Sequence, residues 1–311
     1  MIKRTLYFGN PAYLSRRNEQ LVVRLPEVEK NDTLPESFKK EAQATIPIED
    51  IGVVILDEQR LIITQSLIDA LLENNVALIT CDKTHHPTGL LLNLAGNKLQ
   101  SAKFKDQLNA SQPQMKQLWQ QTIKAKLFNQ ALLLQRQGVE AGNMMKWASD
   151  VKSGDTDNLE ARGAAYYWKN LFSQIKTFRR EREGLPPNNL LNYTYAILRA
   201  MVARSLVGSG LLPTLGIHHR NQYNHYCLAD DIMEPYRPFA DALVCEIIRN
   251  SEDMTELNPS VKRQLLGIAS IDVLFEGERS PLLVGLQRTT ASLAKCFEGN
   301  ASKIVYPKLP A

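Results

Sequence analysis

The sequence predicts an α+β protein in which a small β-rich N-terminal domain, residues 1–95, precedes a larger all-α C-terminal domain, residues 96–311. In the first part, short apolar runs end at turn residues, which is typical of strands. Beyond Asn97, long segments rich in Gln, Lys, Leu and Ala carry apolar residues at every third or fourth position, which is typical of amphipathic helices. We therefore place the domain boundary near Gly96.

The N-terminal elements are predicted from turn residues and helix caps. Strands are expected over 4–8, 20–25, 53–56 and 76–80. Thr64 is a suitable N-cap for a helix over Ser66 to Glu73, where the apolar residues keep helical spacing, and Asn74-Asn75 ends it. This domain is thus expected to be mostly β, with one short helix.

The C-terminal helices are expected over 115–137, from Leu159 onward through Trp168, and over 189–206 and 239–250. The polar run 152–158 offers N-cap candidates for the helix at Leu159, which puts Glu160 in its first turn. A glutamate there usually compensates the helix dipole or caps the helix. The polar and aromatic run 220–229 indicates a loop or an irregular strand that exposes its side chains.

Composition limits the class of protein. The four cysteines are widely spaced with no C-x-x-C pair, so neither a disulfide framework nor a cysteine zinc site is indicated, and a reducing cytoplasm is expected. There is no apolar signal core and no run of about 18 apolar residues, which predicts an intracellular protein without a membrane partner. The formal charge of +4 mildly favours an anionic partner.

Common catalytic motifs are missing from the sequence. The glycines at 89 and 96 lack the G-K-[ST] ending of a phosphate loop, and no G-x-G-x-x-G turn occurs. H-E-x-x-H and G-x-S-x-G are absent as well. Nucleotide hydrolysis, nicotinamide redox chemistry, and the common metalloprotease and α/β-hydrolase classes are therefore not expected.

The chemistry-bearing residues gather in one stretch, where His218 and His219 precede Asp230, Asp231, Glu234 and Arg237. Carboxylates with an imidazole suit Mg²⁺ or Mn²⁺. A surface ion-pair cluster is the alternative. A zinc site built from His219, His225 and Cys227 is a further alternative, although no second thiolate lies near to complete it.

A second concentration of charge lies upstream. Lys176, Arg179, Arg180 and Arg182 surround Phe178 and make a local positive field. A phosphate backbone is one natural partner for it, and a solvated helix end is the other interpretation, since Glu181 and Glu183 dilute the charge.

Six phrases in a fixed order resemble the CRISPR-associated adaptation integrase family, whose members insert new spacers into CRISPR arrays. They are Ile46-Pro47-Ile48-Glu49-Asp50-Ile51, Leu159-Glu160-Ala161-Arg162, Arg180 to Pro187, Asn192-Tyr193-Thr194-Tyr195, Leu215 to His219, and Asp231 to Pro238. The match spans nearly the whole chain. Gly216-Ile217-His218-His219 looks most like the version found beside the single-protein, RNA-guided effector nuclease of type II systems.

The resemblance implies a site and a mechanism. Glu160, His219 and Glu234 would be the catalytic ligands of Mg²⁺ or Mn²⁺, with Asp231 as accessory acid. His218 competes with His219, which is preferred for its offset from the preceding glycine. Arg237 and the basic cluster at 176–182 would contact DNA. One departure is Ala161, where many relatives have glycine.

The resemblance also implies partners. The N-terminal domain would dimerise, and a small CRISPR adaptation protein would complete a heterohexamer on double-stranded DNA, the prespacer and the CRISPR repeat. The effector nuclease is a further expected partner, and a prokaryotic cytoplasm the expected location. A DNA-repair nuclease, a transposon-type integrase and a non-catalytic DNA-binding scaffold remain alternatives.

Overall fold

The computed structural model describes residues 3–29, 43–181, 183–250 and 256–310. The chain divides into two compact units, Met1–Gly96 and Asn97–Ala311. Strands dominate the first unit and helices dominate the second, so the α+β class predicted from the sequence is confirmed. None of the described helices is long and apolar enough to cross a membrane.

The N-terminal unit contains two four-stranded sheets. In the first, β1 (Arg4–Phe8), β5 (Ile51–Leu56) and β7 (Ala77–Cys81) run parallel, and β8 (Pro87–Leu91) pairs antiparallel with β7. In the second, the strand order is β4 (Ala44–Pro47), β3 (Gln20–Arg24), β2 (Tyr13–Arg17) and β6 (Ile62–Ile63), with β2 and β3 forming a hairpin. Among the described residues of this unit, the helices are α1 (Pro26–Glu29) and α2 (Gln65–Glu73).

One apolar core joins the two sheets to α2. Leu14 and Leu21 come from the hairpin, Val54 and Leu78 from the parallel strands, and Leu67 from α2, and all are almost fully buried. The sequence predicted β1, β3, β5, β7 and α2 at nearly these positions. Strand β2 was missed because most of its residues are polar, and β6 was missed because it is only two residues long.

The C-terminal unit is built on helices. In chain order they are α3 (Gln100–Leu108), α4 (Gln112–Arg136), α5 (Gly142–Asp150), α6 (Leu159–Leu171), α7 (Asn188–Gly208), α8 (Cys227–Met233), α9 (Arg237–Asn250), α10 (Pro259–Leu266) and α11 (Leu282–Phe297). Helices α4 and α7 are buried over most of their length. The predicted helices over 115–137, from Leu159, over 189–206 and over 239–250 are therefore confirmed.

Two details differ from the sequence predictions. The C-terminal unit is not purely helical, because β9 (Asp272–Phe275) and β10 (Glu278–Pro281) form an antiparallel ribbon. Glu276 and Gly277, both with positive φ, make the tight turn between them. The expected exposed loop at 220–229 is also wrong in its last three residues, which begin the buried helix α8. These three residues, Cys227, Leu228 and Ala229, are apolar and almost fully buried.

Asn129 ties the C-terminal segment to the interior. This fully buried α4 residue donates from its Nδ2 to the carbonyls of Pro235, at 2.8 Å, and Pro307, at 3.0 Å. Its Oδ1 accepts from the backbone N–H of Leu309 at 3.0 Å. One buried amide therefore joins α4, the segment near 307–309 and the turn that follows α8.

Candidate active site

His219 is held by a buried carboxylate on α8. Asp231, which is 0% exposed, accepts from the ring Nδ1 of His219 and from the backbone N–H groups of His218 and His219. The hydrogen bond to Asp231 raises the pKa of His219. Because that bond uses Nδ1, Nε2 is the ring nitrogen that could bind a metal ion. A carboxylate on the remote nitrogen of a histidine is the usual support of a metal-binding imidazole.

Gly216 permits this arrangement. A Cβ at this position would lie 2.4 Å from the carbonyl oxygen of His219 and 2.7 Å from Asp231 Oδ2. Both neighbours belong to the hydrogen-bonded unit just described, so neither can move away cheaply. The glycine that opens the Gly-Ile-His-His phrase is thus required by close packing.

His218 has a different environment. Its ring stacks on Trp119 of α4, with the centroids 4.1 Å apart and the planes 1° from parallel. Burial lowers the pKa of His218. The structure therefore places His218 in an aromatic contact, and it gives the hydrogen-bonded support to His219.

Glu160 lies in the first turn of α6 but does not cap that helix. Asp155 caps it instead, accepting from the backbone N–H groups of Leu159 and Glu160, both at 2.9 Å. The carboxylate of Glu160 is consequently available for another partner. The packing of α6 directs it toward α4, because a Cβ on Gly163 would lie only 2.1 Å from Leu127 Cδ2.

That partner is Lys126 of α4, a residue that the sequence analysis did not select. Its Nζ lies 2.7 Å from Glu160 Oε1 and 2.6 Å from Glu234 Oε2, and the residue is only 7% exposed. Burial alone would lower the pKa of Lys126, but Glu234 and Glu160 outweigh it and raise the pKa. A charged ammonium group therefore lies between the two predicted metal ligands.

Glu234 is in the 3-10 turn Glu234–Tyr236 that joins α8 to α9, and it faces two cations. Arg237 Nε lies 3.0 Å from Glu234 Oε1, on the side away from Lys126. Burial would raise the pKa of Glu234, but Arg237 and Lys126 hold it at about 2. This carboxylate is ionised at any ordinary pH.

The three predicted ligands thus belong to one electrostatic cluster. The charges of Glu234 and Glu160 both contribute to the raised pKa of His219. In the part of the chain that the structure describes, no group of three His, Cys, Asp or Glu residues is arranged to hold a metal ion. Lys126 Nζ lies at the position where the two carboxylates converge. The donor set itself, two carboxylates and an imidazole, suits Mg²⁺ or Mn²⁺.

A small cavity lies beside the carboxylates. It has a volume of about 210 Å³, and its lining includes Lys126, Gln130, Trp168, Arg180, Glu234 and Asp241. Gln130 is 3% exposed, and its Oε1 has no hydrogen-bond partner in the described structure. One residue that lines the cavity therefore carries a buried acceptor with no partner among the described residues.

Asp241 of α9 forms the rear wall of this cavity. It accepts from Tyr167 at 2.7 Å and from Tyr195 at 2.6 Å. Burial raises the pKa of Asp241 to about 6. The Tyr195 ring also lies 4.7 Å from the guanidinium of Arg237. Tyr195 thus connects the carboxylate of Asp241 to the arginine that contacts Glu234.

The predicted DNA contacts have unequal environments. Lys176 and Arg179 are exposed. Arg180 is half-buried and donates to Asn188, at 2.9 Å, and to Asn192, at 2.8 Å. Arg182 lies outside the described residues. Arg237, the remaining predicted contact, faces inward as described above.

The environment of Cys227 does not favour the alternative zinc site built from His219, His225 and Cys227. The Cys227 thiol is buried and lies 3.4 Å from the carbonyl oxygen of Asn224, and burial raises its pKa. A protonated thiol is a poor zinc ligand. Tyr193 is fully buried, whereas Tyr166 donates to the carbonyl of Glu140 at 2.7 Å.

The sequence contains a pattern that indicates the burial of Lys126. It follows Trp119 and Ile123 on the face of α4 that is otherwise buried, and Asn129 and Gln130 continue that face. A lysine at an apolar position of a helix is rarely buried without a charged partner. This pattern predicts a buried counter-charge, but not which acids supply it.

Solved structures share this architecture. A casposase bound to an integration product superposes with a TM-score of 0.74 over 98% of this chain and 93% of that chain, at 18% identity. The Cas6-RT-Cas1–Cas2 complex matches with a TM-score of 0.71 over 99% of this chain and 36% of that chain, at 19% identity. At these identities the likeness is one of fold.

Sequence comparison identifies the family. A model of the CRISPR associated protein Cas1 family matches residues 6–261. The CRISPR-associated endonuclease Cas1 of Neisseria meningitidis serogroup C (strain 8013) is 35% identical over 312 residues, which cover 99% of this chain and 97% of the relative. The chain belongs to the Cas1 family.

Proposed function

We propose that this protein is a metal-dependent DNA endonuclease and integrase that inserts new spacers into a CRISPR array. The observation that carries the proposal is the convergence of Glu160 and Glu234, from separate elements, on one cation position within the field of His219. The endonuclease named in Neisseria meningitidis and the integration product bound by the casposase support the same chemistry.

The reaction we propose is a strand transfer. A DNA 3′-hydroxyl attacks a phosphodiester at the edge of a repeat, a new P–O bond forms, and the bond to the repeat's 3′-oxygen breaks. The attacking hydroxyl loses a proton and the leaving oxygen gains one, so one phosphodiester replaces another. This balance needs no nucleotide hydrolysis, in agreement with the missing phosphate loop. Water in place of the hydroxyl gives DNA cleavage.

Glu160, Glu234 and His219 would hold Mg²⁺ or Mn²⁺, which would supply a Lewis acid beside the reacting phosphate. Asp231 fixes the orientation of His219 through Nδ1. Arg237 keeps Glu234 ionised and in position. The exposed Lys176 and Arg179 would hold the DNA backbone through its charge.

The proposed partners follow the same comparisons. The complex that contains Cas1 and Cas2 supports a small adaptation protein as partner, and we propose a heterohexamer built on a homodimer of this chain. Double-stranded DNA, both prespacer and repeat, is the proposed substrate. The likeness to Cas1 of Neisseria meningitidis agrees with the expected association with an RNA-guided effector nuclease.

A casposase among the structural neighbours favours a second candidate, a transposon-type integrase. The two functions differ in their target. Insertion confined to a repeat supports the CRISPR function, and insertion at many sequences supports the alternative.

The decisive experiment offers a labelled 3′-hydroxyl duplex to a plasmid carrying a repeat, with the small partner protein and Mn²⁺ or Mg²⁺. We expect label in the plasmid with the unaltered protein, none above background with Glu160→Gln, and full transfer with Glu278→Gln. Glu278 is an exposed ribbon residue and serves as the matched control. Equal transfer by Glu160→Gln would refute the proposed site, and DNA binding without any transfer would indicate a scaffold.

A further inference from the structure

Lys126 occupies the point that a divalent cation would need. Its Nζ is within 2.7 Å of one oxygen from each carboxylate, and its residue is almost fully buried. A second cation cannot enter beside it without strong repulsion, because like charges are poorly screened in a buried site. Binding of a metal ion therefore requires the ammonium group to leave the carboxylate pair.

The structure provides a place for the displaced group. Lys126 and Gln130 are one helical turn apart on α4 and therefore share a face. Both line the cavity of about 210 Å³, which is large enough to admit an ammonium group. The unsatisfied Oε1 of Gln130 is a hydrogen-bond acceptor of the kind an ammonium group needs.

The charge of the relocated lysine would also be balanced. Glu234 and Asp241 line the same cavity as Gln130. The ammonium group would therefore keep one carboxylate neighbour and approach a second. Arg180 and Arg237 line the same cavity and oppose this move by their own charges. The guanidinium of Arg180 is held by Asn188 and Asn192, and that of Arg237 is paired with Glu234. The cavity thus offers both an acceptor and negative charge.

We propose that Lys126 is an internal counter-ion that holds Glu160 and Glu234 together in the metal-free protein and moves to Gln130 when a divalent cation binds. This inference rests on the proposed function for the identity of the ligands. It makes Lys126 a positioning residue that sets the affinity of the site for metal. It also explains why two carboxylates remain close together before any metal arrives.

The test measures Mn²⁺ binding to the metal-free, full-length protein without DNA, by titration calorimetry or by the signal of free Mn²⁺. Lys126→Met removes the competing cation and should tighten binding about tenfold, in the range seen when groups around a metal are changed. Lys124→Met removes the same charge from the same helix and should leave the affinity unchanged. Lys126→Met no tighter than Lys124→Met would overturn the proposal.

Gln130→Leu tests the second position of the lysine. We expect it to weaken Mn²⁺ binding about threefold, because the displaced ammonium loses its acceptor. In the Lys126→Met background the same change should have no effect. An equal effect in both backgrounds would show that Gln130 acts independently of Lys126 and would overturn the relocation.

A further measurement covers the case in which Lys126→Met does not fold without metal. In the unaltered protein, nitrogen NMR of labelled lysine should show the protected Lys126 ammonium signal, and saturating Mg²⁺ should shift it. A signal that stays in place would refute the inference. Failure of the proposed function would give a different result from failure of this inference. If Glu160 is not a metal ligand, Glu160→Gln would bind Mn²⁺ as tightly as the unaltered protein.

Discussion

Asp231 binds His219 at two points, through the ring Nδ1 and through the backbone N–H of the same residue. Both the orientation and the tautomer of the imidazole follow from this one carboxylate. A ring fixed in this way presents Nε2 in a single direction. This is the support that a metal-binding imidazole usually has.

Asp231→Asn should lower Mn²⁺ affinity and metal-dependent DNA cleavage by about 10- to 100-fold, the range found for such supporting carboxylates. The reason is that an amide can donate toward Nδ1 and so favour the wrong tautomer. Titration calorimetry and a cleavage assay measure the two effects. Asp272→Asn, at an exposed acid of the β9–β10 ribbon, is the control, and equal losses in both variants would contradict the role of Asp231.

The pH response of His219 gives a second prediction. Because Asp231 raises the pKa of His219, the folded protein holds a proton that the unfolded chain has already lost. The pair therefore contributes to stability fully below the unfolded value of about 6.5 and loses that contribution as the pH rises through the higher folded value. Proton NMR of the five histidines should show one with a pKa above 6.5, and Asp231→Asn should lower it.

The affinity for metal should change with pH in the opposite direction to the stability that His219 and Asp231 contribute. Since a neutral imidazole is the ligand, Mn²⁺ affinity should increase as the pH rises through the pKa of His219. Affinity that is flat across this range would argue against His219 as a ligand.

Gly163→Ala should destabilise the protein by about 1–3 kcal/mol, the usual cost of overpacking. Alanine is otherwise the better helix former, but its Cβ would meet Leu127 Cδ2 at 2.1 Å and push α6 from α4. Thermal unfolding measures the change. Gly267→Ala, where a Cβ meets nothing within 4 Å, should be neutral or slightly stabilising.

Tyr195→Phe should destabilise the protein by about 1–3 kcal/mol, because a buried carboxylate loses a hydrogen bond. The loss should be larger above pH 6 than at pH 4, since the pKa of Asp241 is about 6 and its ionised form accepts more strongly. Denaturant unfolding at both pH values measures this difference. Tyr166→Phe removes a similar bond at an exposed position and should cost much less, without the pH dependence.

The pKa of Asp241 also determines how its contribution to stability changes with pH in every variant. Asp241 keeps its proton in the folded protein until about pH 6, and the unfolded chain releases it near 3.8. Stability contributed by this group therefore falls as the pH rises across that window. The comparison between the tyrosine variants removes this common effect.

Substitutions in the basic cluster at 176–182 should have two kinds of effect. Lys176→Ala and Arg179→Ala should weaken DNA binding uniformly across sequences, and each should reduce the salt dependence by about one released counterion, because each removes one cation from the DNA backbone. Arg180→Ala should instead lower thermal stability, because its guanidinium is bonded to Asn188 and Asn192. Fluorescence anisotropy over a salt series and thermal unfolding distinguish the two outcomes.

Much of the fold was predictable because its signals are local. The start of α6 at Leu159, the cap region before it and the change from strands to helices near Gly96 all depend on short windows of sequence. The last turn of the predicted loop at 220–229 was not predictable in this way. The polar and aromatic run suggested solvent, but its last residues begin the buried helix α8. The acids of that helix, Asp230 and Asp231, are held by tertiary partners, Arg199 and His219 among them.

The sequence allowed candidate ligands to be selected, but it did not point to the lysine that contacts two of them. Glu160, His219 and Glu234 were selected because a known family shares their phrases in this order. Lys126 lies in none of those phrases, and its role depends on how closely α6 approaches α4 at Gly163. Interhelical distance is a property of packing, which no local pattern of residues records.

The hydrogen bonds of Asn129 make the backbone N–H of Leu309 a reporter of a distant turn. The Leu309 amide proton is bonded to the same side chain that holds the carbonyl of Pro235, the residue next to Glu234. Its hydrogen-exchange rate should therefore report on the opening of the turn that carries Glu234. A single tail resonance, far from the reacting groups in sequence, becomes a spectroscopic probe of the site.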